Sequence, residues 1–302
     1  MRRFARSVLA VLGLMLTAGL VLAAVVAIDR SQGTGRLAQI ATLRVPGRAG
    51  PDVDAYVARP TGPGPHPAVI LIHEFWGLRP EMIAKADLLA QQGYLVIAPN
   101  LFRGVTTDFL PSAIYNVIAT PAYEQNQDLE AVYAWLTEQP EVDAERIAIA
   151  GFCFGGGASL RYSLTNPNLA ATVVFYGQVV TDPEALTRLP GPVLGIFGGA
   201  DSSIPLNEVR GFEDGLEQAG VAHTITIYPD QPHAFVTDVE AIAAGGAPGA
   251  AWGEMVSFLE QALEPAPGGG VQPTSASPVA DDRLTYALRL AWSHLFETGH
   301  SH

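Results

Sequence analysis

The stretch that most constrains this chain is Arg146 to Gly157, which reads Arg-Ile-Ala-Ile-Ala-Gly-Phe-Cys-Phe-Gly-Gly-Gly. Ile147 to Ala150 is an apolar run typical of a buried strand, and a helical pattern begins at Ala158. Cys153 therefore lies where a strand turns sharply into a helix, which is the nucleophile position of a nucleophile elbow. The flanking glycines fit this turn, because side chains there would collide with neighbouring elements. The alternative is a small buried residue in a glycine-rich turn.

Apolar runs and helical patterns alternate along the rest of the chain. Strands are predicted around residues 40–45 and at 53–58, 68–73, 94–98, 147–150, 171–175, 193–197 and 224–228. Helices are predicted at residues 80–92, 128–138, 158 onward, 205–219 and 250–263. This alternation predicts an α/β fold, in which a mostly parallel central sheet carries helices on both faces. Ligands bind such sheets beyond the carboxyl ends of the strands.

Three of these predicted strand ends carry residues that suit nucleophilic catalysis. Cys153 is followed along the chain by Asp201, after the strand at 193–197, and by His233, after the strand that ends at Tyr228. Hydrolases with an elbow nucleophile use the order nucleophile, acid, histidine. We therefore predict that His233 is the base for Cys153 and that Asp201 orients it. Asp201 as a helix cap and His233 as an exposed loop residue are the alternatives.

Five short motifs together indicate a family. They are His73-Glu-Phe-Trp-Gly-Leu, Ala98-Pro-Asn-Leu-Phe, Gly151-Phe-Cys-Phe-Gly-Gly, Gly198-Gly-Ala-Asp and Pro232-His-Ala-Phe. With them the chain resembles the dienelactone hydrolase family of the α/β-hydrolase fold over about residues 40 to 263. The resemblance implies hydrolysis of a small carboxylic ester or lactone through an acyl-enzyme on the cysteine. It implies neither a metal nor a cofactor.

The resemblance also assigns roles around the nucleophile. Glu74 would hydrogen-bond the Cys153 thiol and help to activate it, which agrees with the high cost of burying a carboxylate without a partner. An exposed loop carboxylate is the alternative for Glu74. The backbone N–H groups of Phe154 and Phe75 would form the oxyanion hole.

The substrate pocket departs from the family pattern. Family members bind a substrate carboxylate with arginines, and Arg103 could stand in for one of them. No arginine follows shortly after His233, where the chain continues Ala-Phe-Val-Thr-Asp, and Asn100 replaces the aspartate of the family motif. We therefore expect a more apolar ester or lactone, with Arg103, Trp76 and Phe102 as candidate substrate-binding residues. Residues 99–127 lack strong periodicity and are predicted to be a long loop, either a cover over the site or a surface excursion.

The first thirty residues predict export. Arg2, Arg3 and Arg6 precede an uncharged run from Ser7 to Ile28, which is long enough to cross a bilayer. The small residues at 25–27 would also suit signal-peptide cleavage. Residues 1–30 are therefore a membrane anchor or a cleaved signal peptide, and either one places the remaining chain outside the cytoplasm.

Two connecting segments and a terminal helix complete the organisation. Residues 31–50 are predicted to be a tether, and residues 51–263 the catalytic domain. Residues 264–282 are rich in Pro, Gly, Ser and Ala, which is typical of a flexible linker. Residues 283–302 are predicted to form an amphipathic helix and a tail, with an apolar stripe at Leu284, Ala287, Leu288, Ala291, Trp292, Leu295 and Phe296. This stripe could dock on its own domain, form a homodimer contact or lie on a membrane.

Composition narrows the function further. The 30 acidic and 17 basic residues give a net charge of -13, which disfavours nucleic acid as a partner. The single cysteine excludes an intrachain disulfide and any Cys-x-x-Cys site. Two other functions remain open besides hydrolysis. One is a catalytically idle binding module, and the other is a thiol redox sensor, which would need a partner thiol from another chain.

Overall fold

The apolar runs of the sequence form the strands of one eight-stranded sheet. The computed structural model describes residues 2–264 and 283–296. The strands are β1 (Leu43–Val45), β2 (Val53–Ala58), β3 (His66–Ile72), β4 (Leu95–Pro99), β5 (Val142–Phe152), β6 (Ala171–Phe175), β7 (Val193–Gly198) and β8 (His223–Tyr228). Their order across the sheet is β1-β2-β4-β3-β5-β6-β7-β8.

The helices follow the strands in the alternation that the sequence predicts. They are α1 (Arg2–Ile40), α2 (Pro80–Ala90), α3 (Leu110–Ala119), α4 (Ala122–Thr137), α5 (Phe154–Ser163), α6 (Pro183–Leu186), α7 (Leu206–Ala219), α8 (Val239–Ala244), α9 (Gly246–Ala262) and α10 (Arg283–Phe296). Neighbouring strands from β4 to β8 are parallel, and β2 is antiparallel to both β1 and β4. Every residue of β4, β6 and β7 is buried, as expected for strands covered on both faces. The predicted α/β architecture is confirmed.

The segment at residues 99–127 is not the long loop that its sequence suggests. It contains α3 and the start of α4, and Pro121 sits at the N-cap of α4, between the two helices. Helix α3 packs against α1 on one side and α10 on another. The buried face of α3 carries Ser112 and Asn116 beside Ala113 and Val117, whereas Tyr115 and Ile118 are exposed. An apolar stripe therefore does not mark the buried side of this helix.

The N-terminal helix continues ten residues past the boundary predicted at residue 30. Part of the predicted tether is therefore helical, and β1 begins only at Leu43. The last turns of α1 pack on the domain. Leu37 is buried there, and Arg36 pairs with Asp29 at 2.8 Å while it donates to the Thr106 carbonyl at 3.1 Å. Residues 11–40 form a helix long and apolar enough to cross a membrane, and its most apolar 18-residue window is fully exposed.

The C-terminal helix docks on its own domain through only part of the predicted stripe, since Ala287 and Ala291 are buried. Tyr286, Ala287, Leu290 and Ser293 are buried, whereas the outward face carries Leu284, Leu288, Trp292 and Leu295. The prediction of the buried face was wrong for the larger side chains, because Tyr286 and Ser293 count as polar in a hydrophobic pattern. Both pack inward. The predicted linker beyond residue 264 and the tail beyond residue 296 lie outside the described residues.

Candidate active site

Cys153 occupies the tight turn between β5 and α5. Its backbone has φ 57° and ψ -117°, a conformation that costs energy for a residue with a side chain. The turn is possible because its neighbours are glycines. A Cβ on Gly151 would overlap the carbonyl of Gly155, and a Cβ on Gly155 would overlap the carbonyl of Ile72. The Cys153 amide donates to the Phe175 carbonyl at 2.9 Å, which fixes the turn to the neighbouring strand.

The three predicted catalytic residues meet at one edge of the sheet. His233 Nε2 lies 3.1 Å from Cys153 Sγ, and His233 Nδ1 lies 2.7 Å from Asp201 Oδ2. The three side chains follow the carboxyl ends of β5, β7 and β8, as the sequence predicts. All three are buried, with 2% of Cys153, 6% of Asp201 and 5% of His233 exposed. The arrangement places a base beside the thiol and a carboxylate behind the base.

The charges of this group favour an imidazolium at His233. Burial alone would lower the pKa of His233, but the negative charges of ionised Cys153 and Asp201 outweigh it and hold that pKa well above its usual range. Burial likewise opposes ionisation of Asp201. The positive charge of His233 and the hydrogen bonds from Ser203 and from the Ile204 amide nevertheless hold the pKa of Asp201 below its ordinary value. A thiolate next to an imidazolium is therefore well accommodated here.

Ser203 is a member of the site that the sequence interpretation missed. Its buried hydroxyl donates to Asp201 Oδ1 at 2.6 Å and lies 2.8 Å from His233 Nδ1. The Ser203 amide also donates to Asp201 Oδ1, at 2.8 Å. The Asp-Ser-Ser sequence is the only signal for it, and such a sequence more often predicts a helix cap. Ser203 thus fixes the position of the Asp201 carboxylate, which in turn orients the His233 ring.

We predict that Ser203→Ala lowers kcat for the ester hydrolysis that the family resemblance implies by roughly tenfold, because Asp201 loses one of its positioning hydrogen bonds. Its unfolding free energy should fall by about 1 kcal/mol. Steady-state kinetics and thermal unfolding measure the two effects. Ser202→Ala is the matched control, since that neighbouring side chain is exposed. Equal kinetics for the two variants would contradict a positioning role for Ser203.

The loop after β3 is held in place by a buried histidine. His73 Nδ1 lies 2.6 Å from the Glu74 carbonyl, and His73 Nε2 accepts from the Leu101 amide at 3.0 Å. Burial lowers the pKa of His73 to about 4, so the ring is neutral at pH 7. A neutral ring that donates from Nδ1 and accepts at Nε2 fits both contacts. His73 therefore fixes the backbone that carries Glu74 and Phe75.

Glu74 and the two predicted oxyanion donors lie next to the nucleophile. Glu74 and Phe75 line the same cavity as Cys153, and Phe154 is the first residue of α5, where amide N–H groups have no partner within the helix. Glu74 Oε1 is buried without a hydrogen-bond partner in the described part of the chain. The predicted hydrogen bond between the Cys153 thiol and Glu74 is not made among the described residues.

The three candidate substrate-binding residues have different surroundings. Trp76 lines the small cavity beside Cys153. Phe102 is buried in the core, where its ring lies 4.8 Å from that of Phe154 and 5.0 Å from that of His73.

Arg103 is occupied by two acidic side chains of α4. It pairs with Glu124 at 2.9 Å and with Asp128 at 3.2 Å. It is not among the lining residues of the cavities described here. The sequence could not show this pairing, because the start of α4 was predicted as loop. We therefore leave Arg103 out of the proposed substrate site.

A small cavity adjoins the nucleophile, and a larger space shares several of its lining residues. A cavity of about 30 Å³ is lined by Glu74, Phe75, Trp76, Cys153, His233, Ala234, Leu290, Ser293 and His294. A larger space of about 440 Å³ shares Glu74, Trp76, Ala234 and His294 with it and extends to the buried Lys85. Lys85 Nζ donates to the Thr237 carbonyl at 2.8 Å. Within residues 2–264 and 283–296, no three His, Cys, Asp or Glu side chains are grouped as metal ligands.

Comparison with known proteins identifies the family of this chain. A protein assigned as a carboxymethylenebutenolidase from Salmonella typhimurium is 35% identical over 232 residues, which cover 70% of this chain and 84% of the relative. A protein from Klebsiella pneumoniae, whose crystal structure is described as that of a dienelactone hydrolase, has 31% sequence identity to this chain. It has a TM-score of 0.64, and the match covers 72% of this chain and 96% of that one.

A third protein, a dienelactone hydrolase-like promiscuous phosphotriesterase from metagenomic libraries, shares the fold. It has a TM-score of 0.66 at 20% identity, and the match covers 74% of this chain and 98% of that one. Residues 53–263 match the model of the dienelactone hydrolase family, and this range contains the elbow and the Asp201–His233 pair. The chain belongs to the dienelactone hydrolase family.

Proposed function

We propose that this protein hydrolyses small carboxylic esters or lactones with Cys153 as the nucleophile. The observation that carries the proposal is the chain of contacts from Cys153 Sγ to His233 Nε2, at 3.1 Å, and from His233 Nδ1 to Asp201, at 2.7 Å. A nucleophile with a base in hydrogen-bond reach, and a third group that orients the base, is the arrangement that acyl transfer requires.

The reaction would proceed in two halves. The thiol proton moves to His233 Nε2, and the thiolate attacks the carbonyl carbon of the ester. The amide N–H groups of Phe154 and Phe75 stabilise the negative oxygen of the tetrahedral intermediate. The carbon–oxygen bond to the leaving group then breaks, and His233 returns the proton to the departing alcohol.

A thioester on Cys153 remains after the first half. His233 next accepts a proton from a water molecule, whose oxygen attacks the thioester carbonyl. The carbon–sulfur bond breaks, Cys153 regains its proton, and the carboxylic acid leaves. The net reaction consumes one ester and one water and yields one acid and one alcohol. Glu74 is proposed to assist ionisation of the thiol, because its carboxylate shares the cavity and keeps a buried oxygen without a partner.

The surroundings of the cavity favour uncharged substrates. Arg103 is already paired with Glu124 and Asp128, and the nucleophile cavity is bordered by the apolar side chains of Phe75, Trp76 and Leu290. Among the residues that line the cavity beside Cys153, a substrate carboxylate would therefore meet Glu74 and no Arg or Lys to balance its charge. We expect neutral esters and lactones to be turned over faster than carboxylated ones.

A panel of short aryl esters and small lactones, in neutral and carboxylated pairs, tests the proposed function. Turnover of the neutral aryl esters should begin with a burst of released alcohol close to one equivalent of enzyme, because the acyl-enzyme forms before it is hydrolysed. An absence of turnover on every ester and lactone would overturn the proposed activity. Faster turnover of the carboxylated members would overturn only the substrate preference.

We further propose that α1 holds the catalytic domain outside the cytoplasm. The support is the exposed apolar window of α1 and the arginines that precede it, which favour a cytoplasmic N-terminus. We predict that the full chain stays in the membrane fraction after alkaline extraction and keeps its original N-terminus. A protease added on the non-cytoplasmic side of that membrane should cut the catalytic domain. A soluble product that begins near residue 28 would instead indicate a cleaved signal peptide.

A further inference from the structure

Helix α10 reaches the nucleophile although it lies beyond the residues that match the family, which end at residue 263. Leu290, Ser293 and His294 of this helix line the same cavity as Cys153 and His233. We infer that α10 forms the acyl-binding wall of the substrate site, and that Leu290 limits the length of the acyl group. This inference rests on the proposed function and adds a specificity-determining residue to it.

The helix is firmly seated in the structure. Leu290 is only 1% exposed, and Ser293 and Tyr286 are buried beside it. Arg289 pairs with Glu208 of α7 at 2.7 Å, and Arg283 donates to the Ile118 carbonyl of α3 at 2.9 Å. These contacts attach both the middle and the start of α10 to the catalytic domain. The wall is therefore part of the folded domain.

The aromatic contacts of His294 close the other side of the cavity. Its ring lies 4.9 Å from the ring of Trp76 and 6.0 Å from that of Phe75. Because Phe75 carries a proposed oxyanion donor, α10 contacts the loop that receives the carbonyl oxygen. The acyl chain of a bound ester is thereby confined between this loop and Leu290.

The size of the cavity sets the expected selectivity. Its volume of about 30 Å³ has room for about one or two water molecules, which is comparable to the methyl group of an acetyl ester. A longer acyl chain would overlap Leu290 and Ser293. The larger space of about 440 Å³ meets the cavity at Glu74, Trp76, Ala234 and His294, and it can take the alcohol part of the substrate.

Leu290→Ala tests the wall by enlarging the cavity. We expect the ratio of kcat/KM for a butyrate ester to that for the matching acetate ester to rise by about tenfold, since small changes in a hydrophobic pocket alter selectivity by such factors. Leu288→Ala is the matched control, because Leu288 is on the outward face of the same helix and 57% exposed. Its ratio should remain within about twofold of that of the native protein. Equal ratios for the two variants would overturn the inference.

A second readout does not depend on ester hydrolysis. Cys153 is the only cysteine, so labelling by maleimides of increasing size reports access to it alone. Leu290→Ala should speed labelling by a bulky aryl maleimide by about tenfold relative to Leu288→Ala, and labelling by iodoacetamide by much less. Size-dependent labelling without any ester turnover would uphold the wall while the proposed function fails. Labelling that is equal in both variants would refute the wall.

A second, smaller substitution at Leu290 keeps the inference testable if Leu290→Ala does not fold. Leu290→Val removes a single methylene and should move both the ester ratio and the labelling rate in the same direction, by a smaller factor. Thermal unfolding shows whether each variant is folded. If Leu290→Ala does not fold and Leu290→Val matches the native protein in both readouts, the inference is overturned.

Discussion

Cys153→Ala is expected to lower kcat/KM for short aryl esters by at least about a thousandfold, because no other thiol in the chain can form the acyl-enzyme. The loss should appear in kcat as well as in kcat/KM, since the substituted group acts on the reacting carbon. Steady-state hydrolysis of a neutral aryl acetate by the purified protein measures it.

The effect of this substitution on folding should be small. Alanine has nearly the size of cysteine, so the cavity left behind is less than one methyl group in volume. Cys153 also adopts a strained backbone conformation that alanine has to share, with φ 57°. A melting temperature close to that of the native protein together with lost turnover would support the account. Near-native turnover by a folded Cys153→Ala protein would rule out the nucleophile.

Asp201→Asn is expected to reduce kcat by roughly a thousandfold or more, as removal of the orienting carboxylate does in other triads. The carboxylate is one of the negative charges that raise the pKa of His233, so its neutralisation lowers that pKa. His233 then loses its positive charge at a lower pH. The thiolate that this charge stabilises is therefore less populated near neutral pH. The rate of Cys153 alkylation by iodoacetamide should therefore fall near neutral pH, and its pH dependence should shift with the lowered pKa of His233.

The matched control for this prediction is Asp214→Asn, an exposed aspartate on α7. It should leave both kcat and the alkylation profile unchanged. Asp201 also accepts hydrogen bonds from Ser203 and from the Ile204 amide, so Asp201→Asn should lower the unfolding free energy by roughly 1–3 kcal/mol. Thermal unfolding separates this loss from the catalytic one. If alkylation in the folded Asp201→Asn protein kept the native pH dependence, the carboxylate would not tune His233.

The convergence of the candidate catalytic residues could be predicted because their positions depend on local patterns. An apolar run marks each strand, and parallel strands bring their carboxyl ends to one edge of the sheet. Cys153, Asp201 and His233 each follow such a run. The glycines around Cys153 predict the tight turn. Their proximity therefore follows from strand order and direction. No knowledge of side-chain packing is needed to expect it.

Other parts of the site depend on packing between distant segments. Ser203 is recognisable only once its hydroxyl is seen beside both Asp201 and His233. The inward face of α10 is set by the fit of Tyr286 and Leu290 against the domain, which a hydrophobicity pattern does not describe. Tertiary contacts thus decide which side of a helix is buried when polar residues with an apolar body are present.

The central claim is that Cys153 carries the acyl group, and mass spectrometry tests it most directly. The native protein, mixed with an aryl acetate and quenched in acid during the burst, should gain the mass of one acetyl group per chain. After digestion, that group should lie on the peptide that contains Cys153, and hydroxylamine should remove it as it cleaves a thioester. Ester hydrolysis by the native protein with no acetyl group on Cys153, or with the acetyl group on another residue, would contradict the account.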